Sequence, residues 1–323
     1  SRLTEDNAIQ LSRLAWLNYG YSYEDYIYYP DEIKLKLRKR SITAFGAWYD
    51  NKLVGHVALK SENGNSGFPE LGVALVDPAY RRNNIFSQLN SAALNYLIEN
   101  NLDGFFVKAV TNHTISQKAA VDNLTMTPTN LLLCVLPDDI SMNNLGNVKF
   151  KLSAITYSKL LKQLRHNINI PEKYRELICK IYNWSGVEVD KITPSGTGAS
   201  TQNKFSVSLA KDLKSAFISF EEIGEGFELI VKNQLKEISD EGYPSIFLYL
   251  NLGSPLLCST IEFLNRELFI FSGIQFNYFN QFDALVLQRI ENIDVDFSLI
   301  KIYSEEGKYL LQQIESEYNQ RNI

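Results

Sequence analysis

Cysteine and histidine are both scarce in this sequence. The three cysteines, Cys134, Cys179 and Cys258, stand far apart and form no Cys-x-x-Cys pair. Disulfide-stapled domains and zinc ribbons need paired cysteines, so the sequence argues against both classes and favours a reducing compartment. The three histidines include no His-x-x-x-His spacing, and we therefore expect no catalytic metal.

Long apolar runs are missing as well. The richest stretch, residues 131–136, has the length of a strand, whereas a transmembrane helix needs about 20 apolar residues. The opening residues, Ser1 to Asp6, lack the positive region and the apolar core of a signal peptide. Together these absences predict a cytoplasmic protein without a membrane span.

Positive charge is not in excess. The sequence has 32 Lys and Arg against 37 Asp and Glu, a net charge of -5, and no predicted helix carries the clustered basic residues of a nucleic-acid binder. We therefore expect no nucleic-acid partner. With 45% apolar residues, 9 Pro and 17 Gly among 323 residues, the chain is globular, and its length favours two domains.

Hydrophobic periodicity predicts alternating helices and strands along the whole chain. Strands are predicted over residues 43–49, 52–59, 70–76, 104–110, 130–136, 148–157, 204–209, 215–223, 246–252, 269–275 and 284–290. Helices are predicted over residues 5–20, 31–40, 84–101, 116–123, 171–184, 227–239, 255–266 and 305–318, with a loop over 194–198.

The order of these elements in the second half repeats the central and late part of the first half, with similar spacing between strands. We therefore expect an α/β protein with mixed sheets, built from domains at residues 1–165 and 166–323 that are related by a diverged tandem duplication. Two unrelated α/β domains are the alternative.

Residues 70–89 carry the most informative pattern. A strand, Glu70 to Val76, runs through a short loop with Arg81 and Arg82 into an amphipathic helix. Such a connection exposes the first N–H groups of the helix, which receive phosphate oxygens at the positive end of the helix dipole. The two arginines add charged donors. The segment is a candidate phosphate-binding loop, and an ordinary connection whose arginines face water is the alternative.

The same stretch resembles the GNAT superfamily of acyl-CoA-dependent N-acyltransferases. The hallmark of that family is a strand, Val-x-Pro, an aromatic residue, Arg or Gln, two residues, Gly, one residue, and Gly or Ala. Residues 76–86, Val-Asp-Pro-Ala-Tyr-Arg-Arg-Asn-Asn-Ile-Phe, follow this order, with Ala79 between the proline and the aromatic residue, and the predicted element order of residues 1 to about 160 agrees. The resemblance implies the acyl-CoA N-acyltransferase fold, with acyl-CoA (acetyl-CoA or a longer chain) as co-substrate.

The resemblance also implies which residues contact this co-substrate. The backbone of residues 74–76 would face the pantetheine arm where adjacent parallel strands splay, and residues 82–87 would cradle the pyrophosphate. The implied set is Ala74, Leu75, Val76, Arg81, Arg82, Asn83, Asn84, Ile85, Phe86, Ser87 and Ser116. Asn84 replaces the preferred Gly but tolerates left-handed backbone angles, whereas Phe86 replaces Gly or Ala and is expected to narrow or reshape the pocket.

Two residues are implied for catalysis by direct transfer, in which a neutral amine attacks the thioester. Glu70 stands where many family members carry a base that acts through water, and His113 ends the following strand, where the acyl group would rest. The alternatives are that Glu70 begins an edge strand and that His113 is structural. His56, in a neighbouring strand, is assigned to packing or a local hydrogen bond.

A tyrosine that acts as general acid in many members is replaced here by Asn123. The cluster of Tyr19, Tyr21 and Tyr23 lies in the segment that usually walls the acceptor side, so these residues are the candidates for substrate binding, with packing as the alternative.

The second half lacks the basic loop. Its corresponding strand passes through Gly224-Glu225-Gly226 into a helix, with Glu221 and Glu222 just before, and these acidic residues would repel pyrophosphate. This half is expected to be a scaffold, an acceptor-recognition surface or a carrier-protein dock.

The favoured function is therefore an N-acyltransferase that acts on a primary amine of a small molecule, a peptide or a protein. Two alternatives stay open. One is transfer of a fatty acyl group, from a long-chain acyl-CoA or an acyl carrier protein, to a Lys or ornithine side chain of a peptide. The other is a non-catalytic acyl-CoA sensor, which the altered loop and the missing tyrosine favour and the retained basic pair opposes.

Overall fold

The computed structural model describes residues 1–61, 67–137, 141–142, 146–147, 150–163, 167–188, 191–192, 202–280 and 282–321. The strands are β1 Ile42–Tyr49, β2 Lys52–Lys60, β3 Glu70–Val76, β4 Gly104–Val110, β5 Thr127–Leu136, β6 Ser141–Met142, β7 Gly146–Asn147, β8 Leu152–Leu160, β9 Asn167–Ile168, β10 Lys191–Ile192, β11 Lys204–Ala210, β12 Ser215–Glu222, β13 Ser245–Asn251, β14 Ile270–Gln275 and β15 Ala284–Ile290. The α-helices are α1 Ala8–Tyr19, α2 Pro30–Arg38, α3 Ile85–Glu99, α4 Ile115–Lys118, α5 Arg175–Trp184, α6 Phe227–Asp240, α7 Leu257–Arg266 and α8 Glu305–Gln320.

These elements confirm most of the predicted pattern. β3, β4 and β15 have the predicted bounds, whereas β5 begins three residues early, at Thr127. The predicted helix over 116–123 is α4 followed by a π-helical turn, Ala119–Asn123. The start of the strand predicted from Val148, and the loop predicted over 194–198, lie outside the described residues. Among the residues that are described, no helix is both long enough and apolar enough to cross a membrane.

The chain divides into two compact units. The first is Ser1–Lys108 with Asp138–Phe150, and the second is Ala109–Pro137 with Lys151–Ile323. β5 and β8 therefore belong to the second unit. The domain boundary proposed between residues 165 and 166 follows chain order instead and stays a prediction.

The first unit contains a mixed sheet in the order β1-β2-β3-β4. β1, β2 and β3 pair antiparallel, and β3 and β4 pair parallel. α1 buries Ala8, Leu11, Leu14 and Ala15, the spacing of one helical face, in a core that also contains Leu75 of β3.

α3 crosses from β3 to β4 and packs closely on β2 through Gly55. A Cβ atom on Gly55 would lie 2.5 Å from Ile85 Cγ2 and 3.1 Å from Leu89 Cδ1, so the absence of a side chain permits this approach. Further along α3, the ring of Tyr96 meets that of Phe45 on β1 edge to face at 5.7 Å. The start of α3, and with it the loop before it, is thereby positioned by β2.

The second unit contains a sheet in the order β8-β5-β14-β15-β13-β12-β11, in which only β12 and β13 pair parallel. β14 meets β5 at Gly273 and Asn130, where a Cβ on Gly273 would clash with the backbone of Thr129 and Asn130. The chain order β12-α6-β13-α7-β14-β15 repeats β3-α3-β4-α4-β5-β8. This repeat supports the tandem duplication, which stays a proposal.

Candidate active site

The first unit has an open sheet edge beside β3. Within the described residues β3 and β4 share one register pair, Glu70 with Phe106. β3 then carries an irregularity at Val73, which has a left-handed φ of 52°, and the Ala74 side chain after it is exposed. Within the part of the chain that the structure describes, no strand pairs with the β4-facing edge of residues 74–76. This is the splay expected for the pantetheine arm, and the contacts themselves stay a prediction.

Asp77 fixes the loop that follows β3. One carboxylate oxygen, Oδ1, accepts a 2.9 Å hydrogen bond from the N–H of Ala79, and Oδ2 lies 2.7 Å from Lys52 Nζ. Burial of the carboxyl opposes its ionisation, but the bonds from Lys52 and Ala79 outweigh burial and lower the pKa of Asp77. The Asp77 carbonyl also accepts from the N–H of Tyr80 at 2.8 Å, so the turn is held at both ends.

The loop between β3 and α3 contains two left-handed residues. Arg82 and Asn84 both have left-handed φ angles, 70° and 56°. The conformation of Asn84 agrees with the expectation that asparagine preserves the turn, whereas the left-handed conformation of Arg82 was not predicted. In the described part of the chain, the N–H groups of Ile85, Phe86 and Ser87 have no acceptor and no side-chain cap. These are the orphan donors of a helix start, which suit an anion.

The two arginines of the loop differ in their surroundings. Arg81 Nη2 donates to Oδ1 of Asn18 on α1 at 3.1 Å, and Asn18 Nδ2 donates to the Leu14 carbonyl. Arg82 is exposed, with no hydrogen-bond or ion-pair partner among the described residues. Arg82 is therefore the arginine available to a ligand. Asn83 donates from Nδ2 to the Tyr80 carbonyl at 3.0 Å, and Phe86 is half-buried in the first turn of α3.

Glu70 lies in the interior of the sheet, because β3 stands between β2 and β4; the edge-strand alternative is therefore wrong. The residue is 7% exposed, and its carboxylate pairs with Lys60 at 3.3 Å and Lys108 at 3.2 Å. Burial opposes ionisation, but Lys108 and then Lys60 outweigh it and lower the pKa of Glu70 to about 2. Such a carboxylate stays ionised at neutral pH and holds a proton weakly. The role of base stays a prediction.

A charge network extends from Glu70 through residues that the sequence analysis missed. Glu24 pairs with Lys60 at 3.0 Å, so Glu24, Lys60, Glu70 and Lys108 alternate in sign. Lys60 is the register partner of Glu70 across β2 and β3, and Lys108 follows Phe106 by two residues on β4. A reader of the sequence could have found these lysines only by knowing which strands pair.

Two of the three candidate tyrosines for substrate binding lie together. The rings of Tyr19 and Tyr23 stack at 4.6 Å, and the N–H of Tyr23 donates to the hydroxyl of Tyr28 at 3.0 Å. Burial raises the pKa of Tyr19, against an opposing effect of Arg81, and raises that of Tyr23 well above its usual value. Both phenols are protonated donors at neutral pH. Tyr21 is 79% exposed and packs on Tyr28 instead.

His56 is a buried neutral imidazole. Burial lowers its pKa to about 4, although the hydrogen bond to the Val73 carbonyl acts in the opposite direction. In the neutral ring Nδ1 therefore donates to that carbonyl, 2.8 Å away, and Nε2 has no partner among the residues that the structure describes. The local hydrogen bond assigned to His56 is confirmed.

His113 and Ser116 belong to the second unit. His113 Nδ1 accepts from the N–H of Ile115 at 3.3 Å, and burial together with Lys301 lowers the pKa of the ring. A neutral imidazole that accepts at Nδ1 carries its proton on Nε2, so this geometry suits a hydrogen-bond donor. Ser116 is exposed on α4. Their roles stay predictions.

Gln117, which the sequence analysis did not single out, joins α4 to the segment before α8. Its buried amide Nε2 donates to the carbonyls of Val110, His113 and Lys301, and its Oε1 accepts from the N–H of Tyr303. The Tyr303 hydroxyl in turn donates to the Asp122 carboxylate at 3.0 Å, next to the position where the resemblance implies a tyrosine and the sequence has Asn123.

The second unit has no comparable open edge between its parallel strands. β12 and β13 pair without interruption from Ser215 and Ser245 to Phe220 and Leu250. α6 then starts after Gly226 with Glu228 in its first turn. The continuous pairing of β12 with β13 and the acidic residue at the start of α6 are consistent with the expectation that this half binds no pyrophosphate. Over the described ranges, no three His, Cys, Asp or Glu residues come together as a metal site.

The chain is similar to known proteins over its first part. Residues 8–120 match the model of the acetyltransferase (GNAT) family, and no curated protein matches the chain. Three solved structures are similar to 50% of this chain: an aminoglycoside 6'-acetyltransferase type Ii (18% identity, TM-score 0.38, 96% of its own chain), a ribosomal-protein-alanine N-acetyltransferase from Brucella melitensis (11%, 0.39, 98%) and a ribosomal-protein-S5-alanine acetyltransferase from Vibrio fischeri (11%, 0.37, 91%).

The region matched by the family model begins at the first residue of α1 and ends just after α4. It therefore includes β3, the loop with Arg82 and the unpartnered amides that open α3. The family match supports a GNAT-type acyltransferase domain over residues 8–120.

Proposed function

We propose that this protein transfers an acyl group from acyl-CoA to a primary amine of a small molecule or a peptide. One observation carries the proposal: the free N–H groups of Ile85, Phe86 and Ser87, preceded by the left-handed Asn84, lie directly after the unpaired edge of β3. Amides at a helix start receive phosphate oxygens, and an unpaired strand edge receives the amide groups of an extended arm. The residues present thus fit both ends of CoA.

Each group of the loop has a place in this scheme. The amides of residues 85–87 and the guanidinium of Arg82 hold the pyrophosphate, and Asp77 keeps the turn in shape. The backbone of residues 74–76 holds the pantetheine arm, which brings the thioester to the end of β3. The bound co-substrate supplies an activated thioester carbonyl carbon.

The chain's side chains then act on the acceptor and on water. The acceptor enters as a neutral amine, its nitrogen forms a bond to the carbonyl carbon, and the carbon–sulfur bond breaks with its electron pair on sulfur. Glu70, ionised at neutral pH, orients the water through which the proton of the new amide nitrogen leaves for solvent. The protonated phenols of Tyr19 and Tyr23 are the hydrogen-bond donors proposed for the acceptor.

CoA fits this site better than an acyl carrier protein as the donor. The N–H groups of residues 85–87 together with Arg82 suit a nucleotide diphosphate. The arm of an acyl carrier protein, in contrast, carries one phosphate and no nucleotide. Incubation of the full chain with acetyl-, octanoyl- or palmitoyl-CoA and a panel of amines, followed by mass measurement of the products, tests donor length and acceptor together. Calorimetry with CoA tests binding, and a chain that binds CoA but forms no product with any of these donors would be a sensor.

Arg82→Ala tests the binding site directly. We expect a rise of about tenfold in the Kd for CoA, since a charge-assisted hydrogen bond is lost. Arg13→Ala, at an exposed position of α1, is the matched control and should leave the Kd unchanged. Absence of CoA binding by the parent chain would contradict the proposed function, and equal Kd values for both variants would contradict the role of Arg82.

A further inference from the structure

Asn90 on α3 has a buried side-chain amide that forms no hydrogen bond with any described residue. It is 3% exposed, and no described residue forms a hydrogen bond with its Oδ1 or its Nδ2. Among the described residues it is the one buried amide side chain of which both polar atoms are orphaned. Native proteins pair nearly all buried polar groups, so an amide left wholly unpaired calls for a ligand.

The phase of α3 shows which way Asn90 faces. Successive residues of an α-helix are rotated by about 100° around its axis. Measured from Ile85, Tyr96 lies at about 20° and Leu89 at about 40°. Asn90 lies on the other flank of the buried face, at about 140°, and Phe86 lies at about 100°. Ile85 and Leu89 approach Gly55 on β2, and Tyr96 meets Phe45 on β1. Because β3 and β4 follow β1 and β2 in the sheet, the flank that carries Asn90 faces β3 and β4, next to the residues of β3 that do not pair with β4.

The chemistry of Asn90 fits a secondary amide. A carboxamide offers one acceptor and a pair of donors on the same plane, which is the complement of a C=O and an N–H in one amide group. The pantetheine arm of CoA carries secondary amides, and in the proposed function it runs along the open edge of β3, one helical turn below the amides of residues 85–87.

We propose that Asn90 binds an amide of the pantetheine arm, and this inference rests on the proposed function. No described residue pairs with the side chain, and the amide of the arm would supply both a donor and an acceptor for it. Asn90 thereby adds recognition of the arm to a site whose loop recognises the diphosphate.

Asn90→Leu separates this role from a structural one. Leucine has a similar shape and no polar atoms, so the free protein should be as stable as the parent or more stable in urea unfolding, because an unpaired buried amide is removed. The Kd for CoA should rise about tenfold, whereas the Kd for ADP, which has the diphosphate and no pantetheine arm, should stay the same. Asn95→Leu, the same change at an exposed position of α3, should alter neither constant.

The NMR signals of the Asn90 side chain provide a second test, independent of the Kd values. In ¹⁵N-labelled protein the side-chain NH₂ signals missing from Asn90→Leu belong to Asn90, and they should shift on addition of CoA but not of ADP. A CoA affinity of Asn90→Leu within twofold of the parent, or an equal loss for CoA and ADP, would overturn the inference while leaving the proposed function intact. A parent chain that binds no CoA would overturn both.

Discussion

Glu70 on β3 and Lys108 on β4 form an ion pair of 3.2 Å next to the one register pair that joins these strands. Lys60 reaches the same carboxylate from β2, so three adjacent strands are tied by a single buried charge. Removing one partner of a buried pair leaves the other charge uncompensated. The ion pair therefore stabilises the end of β3 that pairs with β4, whereas the candidate binding site lies at the other end of β3.

Glu70 should make the stability of the protein sensitive to acid. Its pKa is lowered from 4.5 to about 2, so its contribution to the free energy of unfolding is complete above pH 4.5 and is lost as the pH falls towards 2. The contribution is about 3 kcal/mol. Urea unfolding as a function of pH should show this loss in the parent and in Glu32→Gln, an exposed control, and not in Glu70→Gln. An unchanged slope in Glu70→Gln would contradict the assignment.

His56 should add a second acid-sensitive window at higher pH. Its folded pKa of about 4 lies below the usual 6.5, so the unfolded chain binds a proton that the folded chain refuses between these values. Stability should fall as the pH drops from 6.5 to 4, by about 3 kcal/mol. His56→Gln should abolish this dependence, and the imidazole resonance of His56 in an NMR titration should not shift above pH 5. A midpoint near 6.5 would refute this prediction.

Gly55→Ala should displace the start of α3. The new methyl carbon would lie 2.5 Å from Ile85 Cγ2, and overpacking of this kind costs about 1–3 kcal/mol of stability. Because Ile85 also opens the proposed phosphate site, the Kd for CoA should rise together with the loss of stability. Asn95→Ala, on the exposed face of α3, should change neither quantity, and a stable Gly55→Ala variant with normal CoA binding would argue against the coupling.

Gln117→Leu should release the segment before α8 from α4. The change leaves the carbonyls of His113 and Lys301 and the N–H of Tyr303 without their partners, and buried unpaired groups cost about 1–3 kcal/mol each. Hydrogen exchange should show loss of protection at the Tyr303 amide, and urea unfolding should show a lower free energy. The exposed substitution Gln312→Leu is the control; retained protection at Tyr303 in Gln117→Leu would count against the prediction.

The local features of the site could be predicted from the sequence. The strand from Glu70 to Val76, the turn at Asp77-Pro78, the left-handed Asn84 and the helix after it depend on residues within a few positions of one another, and each has the expected form. Alternation, proline and asparagine act through short-range sterics and hydrogen bonds, which a sequence pattern records directly. The element order of both halves follows from the same local signals.

The partners of the site residues were decided only by the tertiary structure. Glu70 is ionised because sheet order brings Lys60 and Lys108 to it, Asn90 is orphaned because α3 turns that flank inward, and Gln117 binds the Lys301 carbonyl across 184 residues. These relationships depend on strand register and helix packing between segments distant in the chain. No local pattern encodes such distances, so the sequence predicted the local form of the candidate loop, and the fold determined the charge and hydrogen bonding of the groups around it.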